Sequence, residues 1–350
     1  MPATSRAAVA RLESAWTGGQ YSIARALAGG GAAVALAVHG AQGHGPDAVL
    51  DLALAGLAAA VALGVGTAAR TTTAVLLLLL PLSDALSGPL AATVAGWLSL
   101  HLFLPPAPWG SLAARGRVDP RGSWRMPRWY PLGCATMFFL DRLLAAAQAA
   151  SQAEPRLAAV LLLLALLGLA RRTAPAAWSA SALLALAMAW QGNGSVPLAL
   201  FFHLVTFQPA WAPGRRHAEA SLVFHDGHCA LCHAVVRTLL GEDRHGLLRF
   251  APIGGEAWLR RFPKDQRTNL ADSVLVVRGD EVLSKGHAVR DLLEQLGGLW
   301  WLPWLALRIL PAVVVDAGYD VVAANRARWF GRKPSPCPLV PEALRMRMEA

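Results

Sequence analysis

The chain has 350 residues, 55% of them hydrophobic, and a net charge of +10 carried by 29 arginines and only 3 lysines. A mean hydropathy of +0.41 is too high for an ordinary soluble enzyme. The basic residues flank apolar runs instead of forming one patch, which argues against a nucleic-acid binder and for anchoring at a membrane interface.

The apolar residues concentrate before position 212, so the expected fold class is a multi-span α-helical membrane domain followed by an α/β domain. Met1–Gly19, with Arg6, Arg11, Leu12 and Trp16, reads as a short amphipathic helix. It lacks the apolar core and cleavage site of a signal peptide and is expected to stay at the interface. Eight apolar spans follow, at about Ser22–Val38, Ala48–Ala69, Thr71–Leu86, Pro89–Leu104, Trp129–Ala150, Arg156–Ala170, Ala176–Trp190 and Val196–Trp211. With eight spans, Arg25, Arg70, the Arg115–Arg128 cluster, Arg171-Arg172 and Arg215-Arg216 share one side with the N-terminal arginines. The opposite loops carry Asp47, Asp51, Asp84 and Glu154, with Arg156 the basic exception. The positive-inside rule then places both termini and the C-terminal domain in the cytoplasm of a multi-pass cell-membrane protein.

Polar groups inside the spans mark either a pocket or contacts between helices, and His101, His203 and Asp141-Arg142 are the cases here. Cys134 reads as a small buried hydrophobe. The stretch Trp124-Arg-Met-Pro-Arg-Trp-Tyr-Pro-Leu, with Phe202-His-Leu-Val-Thr-Phe-Gln-Pro, resembles the horizontally transferred transmembrane domain related to vitamin K-dependent carboxylases. That family's carboxylation relies on a lysine base, and no lysine occurs in this half.

A proline-bearing linker at 213–220 ends the membrane half. Leu222, Val223 and Phe224 then form a strand, Asp226-Gly227 a turn, and Leu231, Val235 and Leu239 a helical stripe ended by Gly241. Leu247–Ala251 reads as a strand, Glu256–Phe262 as a short helix, Ser273–Val277 and Glu281–Ser284 as a hairpin around Gly279-Asp280, and His287–Leu296 as a helix. This β-α-β-α-β-β-α order suits a minimal thioredoxin-like sheet over 221–350.

Cys229-Ala-Leu-Cys232 opens the first of these helices. Residues i and i+3 share a face, so the two sulfurs can close a small disulfide ring. Unpaired N–H groups and the helix dipole favour a thiolate at Cys229, which makes it the attacking sulfur and Cys232 the resolving one. His225, His228 and His233 add positive character, and Asp226 or a neighbouring histidine assists proton transfer. Two other readings use the same residues. Cys229-Ala-Leu-Cys232-His233 matches the CxxCH of c-type haem attachment, and the two cysteines with a histidine supply part of a zinc site.

Asp226-Gly-His-Cys229-Ala-Leu-Cys232 after a strand resembles the signature of the DCC family of thiol-disulfide oxidoreductases, named for its Asp-Cys-Cys motif. The likeness extends over Arg249-Phe250-Ala-Pro, Asp272-Ser273 and the tail from Tyr319 through Trp329-Phe-Gly to Cys337-Pro-Leu. It implies a thioredoxin-like fold and dithiol redox chemistry with catalytic Cys229, Cys232 and Asp226. Gly227, His228, His233 and Cys337 support them, Cys337 as a third thiol or a structural residue. Leu270-Ala-Asp-Ser273 lacks the cis-proline that thioredoxins carry before the third strand.

Leu299–Val315, with Trp300, Trp301, Trp304, Pro303 and Pro311, reads as a proline-broken interfacial helix, and Arg326, Arg328, Arg332 and Lys333 beyond it as a basic face toward anionic lipid. The expected protein is a membrane-anchored thiol-disulfide oxidoreductase that uses no cofactor or metal. Its partners are a protein or small-molecule thiol or disulfide and the lipid bilayer, with no nucleic acid. A redox-sensing or metal-binding membrane protein and a c-type haem electron carrier are the alternatives.

Overall fold

The computed structural model describes residues 16–43, 46–64, 124–190, 206–215, 219–267, 273–334 and 340–349, apart from residues 216 and 218 and with isolated positions elsewhere. The chain divides into two compact units whose main boundary lies between Trp211 and Ala212, with Thr17–Gln20 grouped with the second.

The first unit is helical. Its described helices are α1 (Gly18–Gln42), α2 (Pro46–Leu63), α3 (Tyr130–Ser151), α4 (Pro155–Leu169) and α5 (Ala174–Trp190). Among the described residues, α1 and α3 are long and apolar enough to cross a membrane. Helix α4, with 15 residues, rises only about 22 Å against a hydrocarbon core of about 30 Å. Small residues let the helices approach closely. A methyl group on Gly29 would fall 2.7 Å from the Ala62 backbone nitrogen, and one on Gly168 2.6 Å from the Phe138 ring. Small residues at such contacts let two helix backbones pack at short range. Leu132, Leu140, Leu144, Leu163, Leu166 and Leu169 are exposed.

Two polar contacts link these helices. His39 Nδ1 lies 2.7 Å from Asp51 Oδ2. Arg142 pairs with Asp141 and donates to Ser181 Oγ at 2.9 Å, so the Asp141-Arg142 pair makes a polar contact between α3 and α5. Cys134 is buried, and so is His203, whose ring meets Trp178 edge-on at 5.5 Å between centroids. Helix α2 stops at Leu63, followed by Gly64 with φ +64°, short of the Ala48–Ala69 run expected from hydropathy. Glycine takes this left-handed conformation without a Cβ clash, which suits a helix end. The expected N-terminal amphipathic helix, most of Thr71–Leu86, Pro89–Leu104 and Val196–Trp211, and His101 lie outside the described residues.

The second unit is a small mixed sheet with helices. Its elements are β1 (Ser221–His225), α6 (Ala230–Glu242), β2 (Leu248–Pro252), α7 (Glu256–Arg261), α8 (Lys264–Arg267), β3 (Leu275–Arg278), β4 (Glu281–Ser284) and α9 (Lys285–Leu296). The strand order is β2-β1-β3-β4. Strand β1 runs parallel to β2, with Val223 opposite Phe250, and antiparallel to β3, with Val223 opposite Val276. Period-two alternation sends Val223 to a core with Val236, Leu240, Phe250 and Leu292, and Phe224 to the other face with Trp258, Phe262 and Leu275. Beyond α9 come α10 (Trp301–Ile309), α11 (Ala312–Phe330) and α12 (Glu342–Arg345).

Pro303 does not break α10 as expected. It sits in the first turn, where no intrahelical acceptor awaits its missing N–H. The break falls at Pro311, and the segments around it are bent by 111°. Helix α11 is tied down along its length: Asp316 Oδ1 accepts the Gly286 amide at 3.0 Å, Tyr319 Oη the Val274 amide at 2.8 Å, and Lys285 pairs with Asp320 at 2.8 Å. The chain end covers the β2 edge, where Phe250 N donates to Arg347 O at 2.9 Å and Glu349 N to Phe250 O at 2.7 Å. An uncovered strand edge would invite pairing with another chain.

Phe250 is fully buried, in contact with the chain end on one side and β1 on the other. Phe250→Ala is expected to destabilise this domain by about 3–5 kcal/mol, read as a lower denaturant midpoint of its fluorescence transition.

Candidate functional site

The site is built where β1 ends. Its last residue, His225, is followed by a turn in which Asp226 Oδ1 accepts the His228 amide at 2.9 Å. Helix α6 then starts at Ala230, with Cys229 as its N-cap. The Cys229 sulfur accepts the Cys232 amide at 3.3 Å, satisfying one of the donors that the first helical turn leaves without a carbonyl. Both cysteines are free thiols. Burial, the hydrogen bond to Cys229 and the charge of Cys229 push the Cys232 thiol up to about 12. At neutral pH Cys232 therefore keeps its proton.

Cys229, expected to be the attacking sulfur, is only 3% exposed, whereas Cys232 is half-buried and lines a cavity of about 440 Å³. The cause lies a hundred residues away, where the stretch after α11 runs antiparallel to the start of α6. Cys229 bridges Arg332, Ala230 N donates to Gly331 O at 3.3 Å, and Lys333 N donates to His228 O at 2.9 Å. This strap closes over the first sulfur.

Asp226 carries more than the turn. Its Oδ2 accepts from Arg326 on α11 at 3.0 Å, and the Arg326 charge works against the upward push on Cys232. Arg326, expected to face lipid, belongs to the site instead. Nothing in the sequence marked it, because only the docking of α11 brings it here. His233 is buried, and its Nε2 lies 2.6 Å from Gly227 O, which fixes the ring as a brace for the turn. His228 is exposed, with Nδ1 3.2 Å from Lys333 O. His225 is buried and lines the cavity. Burial above all, with the neighbouring His233, pushes it down to about 4. Cys337 lies outside the described residues. Among the described residues no group of three or more His, Cys, Asp or Glu could hold a metal ion.

A strand, a turn and a helix that begins on the first of two cysteines spaced i and i+3 form an arrangement suited to thiol-disulfide exchange. The chain belongs to the DCC1-like thiol-disulfide oxidoreductase family, whose pattern it matches over residues 223–332. It is 30% identical over 121 residues to the uncharacterized protein YuxK of Bacillus subtilis (strain 168), covering 88% of that protein and 33% of this chain. It is 31% identical over 117 residues to the DCC family protein At1g52590, chloroplastic, of Arabidopsis thaliana, covering 67% of that protein. No solved structure matches.

Two outcomes follow from this geometry. Arg326→Gln removes a charge-assisted hydrogen bond from Asp226 and should cost roughly 2 kcal/mol in denaturant unfolding, while moving the alkylation of Cys232 to still higher pH. His225 is depressed in the folded state, so between its ordinary 6.5 and about 4 the unfolded chain binds more protons. Its contribution of roughly 3 kcal/mol is present above pH 6.5 and lost as the pH falls toward 4. His225→Leu should flatten the stability profile of the domain in that window.

Proposed function

We propose that the protein is a membrane-anchored thiol-disulfide oxidoreductase whose Cys229–Cys232 pair cycles between dithiol and disulfide for disulfide reduction or exchange on the cytoplasmic side. The observation that carries this reading is the division of labour within the pair: Cys229 caps the helix and accepts an amide, while Cys232 holds its proton up to about 12. Two sulfurs in unlike environments, one capping a helix and one holding its proton, suit an exchange in which the thiolate is the reactive form. The βαβ unit followed by an antiparallel hairpin and helix supports the thioredoxin-like expectation. Asp226, held by Arg326, fixes the turn and balances charge beside the pair.

Helices α1 and α3, the exposed leucines of the first unit and the flanking arginines support the anchoring and its sidedness. In a reducing cytosol the pair rests as thiols, which favours a reductase or a redox sensor over an oxidative-folding role. The expected result is a Cys229–Cys232 disulfide that forms and opens reversibly in a dithiothreitol redox titration followed by mass spectrometry. Absence of that disulfide across the whole range would defeat the reading. A reporter fused after Arg216 should behave as cytoplasmic, and an active periplasmic phosphatase at that point would overturn the sidedness.

A further inference from the structure

The cavity beside the dithiol is walled mainly by apolar side chains of α6, α9 and α11, among them Leu231, Val235, Leu292, Leu296 and Val322, and holds about 440 Å³. That is the size of a small-ligand pocket and far too small for the surface of a folded partner. Three of its features bear on chemistry. Cys232 lines it and Cys229 does not, because the Gly331–Lys333 strap covers the first sulfur. His225 lines it as a second polar side chain, only 3% exposed. The Arg326–Asp226 ion pair is in the same wall, so the charged end of the cavity lies beside Cys232.

We propose that this cavity binds the apolar arm of a low-molecular-weight thiol, and that the thiol's sulfur bonds to Cys232 while Cys229 is the sulfur that departs. This rests on the exchange function above and names its substrate class. In the oxidised enzyme the substrate thiolate attacks Cys232 Sγ, the Cys229–Cys232 bond breaks, and Cys229 leaves with the electron pair as the sulfur that accepts the Cys232 amide. A second substrate thiol attacks the first one's sulfur and releases the apolar disulfide, and Cys232 departs as its thiolate. The two protons lost by the substrate thiols end on the two cysteines, and the two electrons reduce the enzyme disulfide. Accessibility decides which enzyme sulfur is attacked, and Cys232, which lines the cavity, is the accessible one.

The test uses the full chain in detergent, with two thiosulfonate reagents: hexyl methanethiosulfonate and the charged sulfonatoethyl methanethiosulfonate. Reaction rates and sites are read by peptide mass spectrometry. In Cys229→Ser, the hexyl adduct should form on Cys232 and persist. Relative to the charged reagent, it should form about tenfold faster than in Cys229→Ser combined with Val235→Trp, which fills the cavity by more than two methylenes' worth of binding surface. Val282→Trp, on β4 and outside the cavity, should leave that ratio unchanged and so controls for micelle partitioning. The proposal is overturned if the cavity-filling change leaves the ratio unmoved, or if in Cys232→Ser the hexyl adduct forms on Cys229 as fast as it does on Cys232. The redox titration keeps the two readings apart. A reversible Cys229–Cys232 disulfide with no effect of filling the cavity removes the apolar substrate alone, whereas no disulfide at all removes the exchange function with it.

Discussion

The first turn of α6 has backbone N–H groups with no carbonyl in reach, and the one on Cys232 is satisfied by the sulfur of Cys229. A sulfur that serves as a helix cap is a better acceptor as an anion than in a disulfide. Redox state and helix stability are therefore linked at a single hydrogen bond. Forming the disulfide weakens the cap, and breaking it restores the cap. The remainder of the site keeps this bond aimed. Strand β1 lies between β2 and β3, so its end cannot drift, and the Asp226 turn is braced by His233 from inside and by Arg326 from across the domain.

The bracing explains why the C-terminal region is part of the site and not an appendage. Helix α11 meets α9 at Gly286, where a methyl group would fall 2.7 Å from Asp316. It then passes Val274 and reaches Asp226 near its far end. Its other residues expose Val313, Val314, Val321, Trp329 and Phe330. One helix thus has a side that closes the redox site and a side that remains apolar and open.

Much of the second unit was legible in the sequence because its signals are local. Alternation at Leu222–Phe224, Gly279-Asp280 between two short strands, and glycines after Leu296 each act within a few residues, and the four strands and helices α6, α7 and α9 appear within two residues of where they were expected. The Cys-x-x-Cys site was legible for the same reason. What was missed depends on long-range docking. The ion pair of Arg326 with Asp226 spans a separation of 100 residues, and the burial of Cys229 comes from a strap equally remote. An arginine in a basic stretch looks like a solvated or lipid-facing charge until the packing of its helix is known. Pro303 was misjudged for a smaller reason: the same residue breaks a helix in its interior and is harmless in its first turn, and composition does not show which applies.

The strap has a consequence for how the protein comes into being. The chain is made from its N-terminus, so the apolar helices emerge first and both cysteines leave the ribosome well before Gly331–Lys333 and the Arg347–Glu349 stretch that covers β2. Until Gly331–Lys333 follow, the first sulfur lacks its strap, and until Arg347–Glu349 follow, the sheet has an open edge at β2.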